Sequence, residues 1–372
     1  MDKKIRTIGA FLLLLLWAGL TALAWFMPAK EASLSERRYL DQFPQLTVDT
    51  VLSGSFTQKF EDYATDQFPL RDSFRSLKAI THRYVLLQQD NNELYLADGY
   101  LVKQEYPLAE SELTAATDRI TMLYNTYLKD SDCRVFFAAI PDKGYYLAES
   151  SGHLAMDYEK LFSHVQEALP FAEHIDLTAT LSKENYYYTD THWRQETLLP
   201  TAGAICNALD MPAPKPEDHT ATKATDAFYG VYHGQAALPL APEDLYLMES
   251  DNIRQLQLSI HNGMTFVPVS YTGVYDLEKL TSKEPYDVFL SGPQSVMRIE
   301  NPNATTDREL IIFRDSFGSS ISPLLVSEYK TVTLLDTRYL NSQLLGKFVD
   351  FSEQDVLFLY STLVLNIGST LK

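Results

Sequence analysis

Leu310-Ile311-Ile312-Phe313-Arg314-Asp315-Ser316-Phe317-Gly318 is an apolar run of strand type that stops in a short polar turn carrying a serine. Four consecutive apolar residues without alternation describe a strand buried on both faces, as in a parallel sheet covered by helices. A serine where such a strand opens into glycine and small residues stands with little crowding around its hydroxyl, which suits a nucleophile. The same strand type recurs at Arg134-Val135-Phe136-Phe137-Ala138-Ala139-Ile140, Val288-Phe289-Leu290, Thr331-Val332-Thr333-Leu334-Leu335 and Val356-Leu357-Phe358-Leu359-Tyr360. A helix is predicted over 111–129, where Leu113, Ala116, Ile120, Leu123, Tyr124 and Leu128 fall at helical spacing. Strands of this kind separated by helices predict an α/β fold: a mostly parallel sheet flanked by helices.

The second informative stretch is Tyr186-Tyr187-Tyr188-Thr189-Asp190-Thr191-His192-Trp193. On an extended strand residues i and i+2 share a face, so Asp190 and His192 would address one pocket, the relation a general base needs with its orienting acid. With Ser316 they make a candidate catalytic triad. His174 and Asp176, an H-x-D pair on a predicted strand over 172–177, compete for the same role and rank below.

Ahead of these lies a segment of another kind. Lys3, Lys4 and Arg6 precede 8–27, which holds no charged residue. About twenty apolar residues at ~1.5 Å each span a ~30 Å hydrocarbon core, and the basic flank keeps the N-terminus cytoplasmic. Ala22-Leu23-Ala24 offers a signal-peptidase site, but the apolar run continues through Trp25, Phe26 and Met27, which favours a retained anchor. The expected organisation is an anchor over 1–29, a helical stalk or cover over 30–92 and the α/β domain over 93–372, with an inserted β region at about 211–285. In the stalk Phe56, Phe60, Tyr63, Phe68, Phe74, Leu77 and Ile80 recur at mostly three- and four-residue steps, predicting two amphipathic helices. After Trp193, 195–208 is predicted helical with a kink at Pro200.

Of 372 residues 45% are hydrophobic, ordinary for a globular chain, and the net charge is −18. That balance argues against nucleic acid or an anionic membrane surface as a partner, since both call for basic patches. The two cysteines, Cys133 and Cys206, fit one disulfide or two free thiols. Lys143, just past a strand end, is within reach of the crevice where α/β sheets bind ligands, although a solvated lysine is the commoner outcome.

Several separated stretches resemble the DHHW family of bacterial cell-surface proteins, which are similar to the SGNH-hydrolase-like alginate O-acetylation proteins. They are Ser35-Glu36-Arg37-Arg38-Tyr39-Leu40 with Phe43-Pro44, Phe60-Glu61-Asp62-Tyr63, Asp66-Gln67-Phe68-Pro69-Leu70-Arg71-Asp72, Asp98-Gly99-Tyr100-Leu101, Ile140-Pro141-Asp142-Lys143, Tyr188-Thr189-Asp190-Thr191-His192-Trp193 and Arg314-Asp315-Ser316-Phe317-Gly318. The resemblance implies an SGNH-hydrolase-like fold in which Asp190 and His192 match the acid and base of the D-x-H-W motif and Ser316 the serine of the D-S-F motif. Thr191 stands where the name-giving motif has its first His. No Asn follows Leu290-Ser291-Gly292-Pro293, where SGNH hydrolases carry an oxyanion Asn.

The chemistry expected is acylation of Ser316, with His192 as base, Asp190 fixing the imidazole, and the oxyanion held by the backbone N–H groups of Ser316 and Gly292. Tyr188, Trp193, Arg314 and Tyr232 are the candidates for substrate contact, with Tyr229 and His233 beside Tyr232. The resemblance implies an extracytoplasmic O-acetyltransferase, or acetylesterase, on cell-surface or secreted polysaccharide, with a membrane-bound O-acyltransferase supplying acetyl groups and no cofactor. Two other classes stand beside it: a non-catalytic polysaccharide-binding or scaffold protein, favoured by the missing Asn, and a metal site on Asp190 and His192, disfavoured because no H-x-x-x-H pair occurs.

Overall fold

The computed structural model describes residues 3–33 and 35–372. The chain forms two compact units, one taking in the residues up to Asn91 with His233–Pro239, the other Asn92–Tyr232 and Leu240–Lys372.

The first unit opens with helix α1, Lys3–Phe26. Its 24 residues at ~1.5 Å each reach ~36 Å, enough for the hydrocarbon core. By length and composition this helix can cross a membrane. Met1 and Asp2 of the expected anchor lie outside the described residues. Two helices follow at Ser55–Asp66 and Arg71–Ile80. Asp66 takes two hydrogen bonds from the Arg38 guanidinium, one at 2.7 Å, and one from Asp41 N–H at 2.8 Å. The Arg38 hydrogen bond, with help from Asp41 N–H, lowers the Asp66 carboxyl to about 2. The Phe43 ring meets those of Phe56, Phe60 and Tyr63 edge-on at 5.3–6.3 Å, and Phe60 stacks on Phe56 at 6.0 Å.

The second unit is built on an eight-stranded sheet. Its strands are β1 (Arg134–Ile140), β2 (Glu173–His174), β3 (Gln257–His261), β4 (Phe266–Pro268), β5 (Val296–Glu300), β6 (Glu309–Arg314), β7 (Thr331–Leu335) and β8 (Asp355–Ser361), in the order β4-β3-β5-β7-β6-β8-β1-β2. From β7 to β2 the pairings are parallel. The pairings β3–β4, β3–β5 and β5–β7 are antiparallel. The sheet is therefore mixed rather than mostly parallel throughout. It also absorbs 257–268, part of the stretch expected to be an insertion. The remainder of that stretch contributes a long hairpin, Thr220–Phe228 against Glu243–Glu249.

Both faces of the parallel half are buried, which is why its strands are apolar without alternation. Phe136, Ala138, Leu310, Ile312, Leu357 and Leu359 pack on one side with helix residues Ala202, Ile205, Phe317 and Ile321. Val135, Phe137, Ile311, Phe313, Val356 and Phe358 pack on the other with Leu113, Ile120, Leu161 and Val165. Three local expectations change. The helix predicted over 111–129 is α-helical at Glu110–Leu123 and continues as a π-turn at Tyr124–Leu128. Pro200 starts the Leu199–Ala208 helix instead of kinking one, because its missing N–H costs nothing in a first turn. Val288-Phe289-Leu290 ends a 3₁₀ turn and is not a strand.

Candidate active site

The Tyr186–Trp193 stretch is a tight loop, not the expected strand. Tyr186 and Trp193 form an isolated antiparallel bridge, and Tyr187 N–H donates to His192 O at 3.1 Å. Asp190 and His192 share one side because the bend, not a pleat, turns them there. Glu243 holds the loop from behind, accepting from Tyr188 N–H at 2.7 Å, Thr189 N–H at 2.8 Å and the Thr189 hydroxyl at 2.5 Å. On the other side Gly230 N–H donates to Thr189 Oγ1 at 2.9 Å. A Cβ on Gly230 would lie 2.3 Å from the Thr189–Asp190 backbone, so glycine is the residue that allows this approach.

Ser316 stands in the turn between β6 and helix α3, Phe317–Leu325. Asp315 fixes that turn: Oδ1 accepts from Phe317 N–H at 3.0 Å, and Oδ2 accepts from Ser361 N–H at the end of β8 at 2.8 Å. Ser316 is thereby placed just past the C-terminal ends of the parallel strands, where open α/β sheets bind ligands.

The two segments meet through one imidazole. Asp190 is fully buried, and its Oδ1 lies 2.6 Å from His192 Nδ1. A carboxylate only accepts, so Nδ1 carries the proton and Nε2 is left to accept from the Ser316 hydroxyl, 2.7 Å away. Asp190 Oδ1 also accepts from His192 N–H at 3.0 Å, and Oδ2 from Val231 N–H at 2.7 Å. The imidazole stacks on the Tyr286 ring at 3.8 Å and 6°. Tyr286 in turn donates to Ser320 Oγ at 2.8 Å, and burial raises its hydroxyl well above the usual tyrosine range, keeping it a neutral donor. Tyr286 carries no motif in the sequence, and Asp315 was legible only as a letter beside the serine.

The other expected site residues fare differently. Tyr188 is 43% exposed and stacks on Tyr100 at 4.4 Å. Trp193 does not face a substrate: it is fully buried, and Nε1–H donates to Ser320 Oγ at 2.8 Å and Phe317 O at 3.1 Å, fastening the loop to α3. Arg314 is fully buried beneath the serine turn, donating to Ser319 Oγ at 3.1 Å and Asp315 O at 3.3 Å. Tyr232 is buried as well, its hydroxyl donating to Thr191 Oγ1 at 3.0 Å. Gly292 gives its N–H to Phe289 O at 3.2 Å, in a turn where Leu290, Ser291 and Gly292 all have positive φ. That donor is spent on the turn, which corrects the expectation of a second oxyanion donor there.

His174 and Asp176 do not pair with each other. His174 Nε2 donates to Leu169 O at 3.1 Å, and Asp176 accepts from Thr178 N–H and its hydroxyl. Lys143 is buried, not solvated. Cys133 and Cys206 are free thiols, and burial pushes Cys206 up to about 12, away from thiolate chemistry.

Because Trp193 ties two segments by hydrogen bonds, Trp193→Phe is expected to cost about 1–3 kcal/mol by deleting two buried hydrogen bonds and part of a packed ring. A lower urea midpoint at unchanged slope is the reading; an unchanged midpoint contradicts the fastening role.

The aspartate-histidine loop and the serine turn both fall inside the segment that carries a family signature. Residues 160–335 match the DHHW protein family. A solved DHHW family protein from Eubacterium siraeum DSM 15702 has a similar fold, with a TM-score of 0.61 at 17% identity, covering 76% of this chain and 94% of that one. Bacillus cereus PatB1, solved with a sulfonyl adduct, is similar at a TM-score of 0.56 and 19% identity, over 73% of this chain and 95% of its own. No curated protein matches the chain. All three side chains of the hydrogen-bonded chain lie within the DHHW segment, whereas Lys143 lies ahead of it.

Proposed function

We propose that this protein transfers acyl groups outside the membrane, as an O-acetyltransferase, or an acetylesterase when water is the acceptor, on cell-surface or secreted polysaccharide. The observation that carries the reading is the continuous hydrogen-bonded chain Asp190–His192–Ser316 at the C-terminal edge of the parallel strands. In the first step Ser316 Oγ attacks the acyl carbonyl while its proton passes to His192 Nε2. The proton then goes to the departing oxygen, leaving an acyl-serine. An acceptor hydroxyl, deprotonated by His192, attacks that ester and restores the serine. Asp190 holds the imidazole tautomer and stabilises the imidazolium. Ser316 N–H is the oxyanion donor this reading uses, and the exposed ring of Tyr188 offers a sugar ring a stacking surface.

The acetyl group and the polysaccharide rest on the family resemblance, and the sulfonyl adduct of PatB1, on a similar fold, supports a reactive nucleophile. The same likeness supports an SGNH-hydrolase-like fold. With α1 as a retained anchor and its basic flank in the cytoplasm, the site faces outward, and a membrane-bound O-acyltransferase is the partner that would bring acetyl groups across.

Full-length protein in detergent treated with an aryl sulfonyl fluoride is expected to take up one sulfonyl group, located on Ser316 by peptide mass spectrometry. Absence of label, or label only elsewhere, removes the nucleophile and leaves a binding protein.

A further inference from the structure

Lys143 is 2% exposed and is the first residue of helix α2, Lys143–Ser151. Both facts count against it energetically. Burial penalises an ammonium, and the N-terminal end of a helix repels one. What surrounds the charge explains its presence. Nζ donates to Tyr187 O at 3.0 Å and Tyr188 O at 3.4 Å, the carbonyls just ahead of Thr189 and Asp190. The ring of Tyr232 lies 5.1 Å from it and that of Tyr100 5.9 Å, both within cation–π range. Three carboxyl groups act on its charge: Asp190, then Glu243, then Asp142. All three also hold hydrogen bonds of their own, those of Asp190 being to His192 and Val231 N–H. Glu243 braces the loop backbone, while Asp142 accepts from Gly144 N–H at 2.8 Å, Tyr158 at 2.7 Å and Thr362 at 2.8 Å.

We propose that Lys143 is a positioning residue for the Ser316–His192–Asp190 chain, its ammonium holding the Tyr187 and Tyr188 carbonyls and with them the loop that presents Asp190 and His192. The role rests on the acyl-transfer reading above. Without those bonds the loop is free to shift, and the imidazole no longer presents Nε2 to the serine at hydrogen-bonding distance.

The cluster's titration agrees in sign. Burial raises both Glu243 and Asp142, and burial pulls Lys143 down to about 7. The ammonium is thus present below neutrality and lost as pH rises through that value. Turnover supported by Lys143 therefore falls on the alkaline side.

The test is kcat and KM of the full chain in detergent on p-nitrophenyl acetate across the neutral range, with Lys143→Met, Lys143→Arg and Ser316→Ala alongside. Lys143→Met keeps the stem and removes the charge. It is expected to lower kcat between about tenfold and a hundredfold with KM little changed, as for a small misplacement of reacting groups, and to lose the alkaline limb. Lys143→Arg keeps the charge, restores most of kcat and moves the limb to higher pH. If Lys143→Met does not accumulate folded, the limb of Lys143→Arg decides: moved upward it supports the role, unmoved it overturns it. A folded Lys143→Met with wild-type kcat and pH profile, beside an inactive Ser316→Ala, overturns the Lys143 role alone. An active Ser316→Ala overturns the acyl-transfer reading and the Lys143 role together.

Discussion

Ser316→Ala is expected to lower turnover of an acetyl ester by about 10⁴-fold or more while leaving the fold intact. The side chain sits in a turn whose backbone, at φ −63° and ψ −24°, suits alanine as well as serine. The turn itself is held by Asp315 through Phe317 N–H and Ser361 N–H, neither of which needs the hydroxyl. The hydroxyl bonds to His192 Nε2. Removing it should change chemistry and little else, so kcat falls while the thermal midpoint stays put. Turnover above about a tenth of wild type in a folded Ser316→Ala protein would falsify the nucleophile assignment.

Asp190→Asn is expected to cost about 10⁴-fold in kcat, and some stability besides. Asp190 accepts from Val231 N–H, His192 N–H and His192 Nδ1–H, and each of these partners is a donor. An amide has one accepting atom. If its oxygen stays toward His192, its NH₂ confronts Val231 N–H, leaving a buried donor unpaired at about 1–3 kcal/mol. If the amide flips, NH₂ meets Nδ1, the imidazole proton moves to Nε2, and the Ser316 hydroxyl loses its base. Either orientation strands a buried donor, and the flipped one also removes the base, unlike at an exposed aspartate. Measuring kcat with the unfolding midpoint separates the two costs. A variant with near wild-type kcat would remove Asp190 from the mechanism.

Neither experiment depends on the mixed sheet, but the sheet explains why the residues meet. Trp193 shows this most plainly. As a sequence letter it stands in the motif beside the imidazole, where substrate contact is a reasonable expectation. In the fold it hydrogen-bonds into the first turn of α3 and carries the aspartate-histidine loop to the serine. Arg314 and Tyr232 err the same way: a polar or aromatic residue next to a motif carries no mark of which side it turns to, and here both turn inward.

Sequence alone determined what depends on local order: a long uncharged apolar run behind a basic flank, unbroken apolar strands that need cover on both faces, and an acid, a base and a serine in suitable chemical settings. Tertiary structure decided what depends on distance between remote segments. It joined His192 to Ser316 across 124 positions of chain, stacked Tyr286 on the imidazole, spent the Gly292 N–H on a turn, enrolled 257–268 in the sheet and buried Lys143 against the loop carrying Asp190. Periodicity records which face of an element is apolar, whereas hydrogen-bond partners and burial are set by whatever the rest of the chain packs against that face.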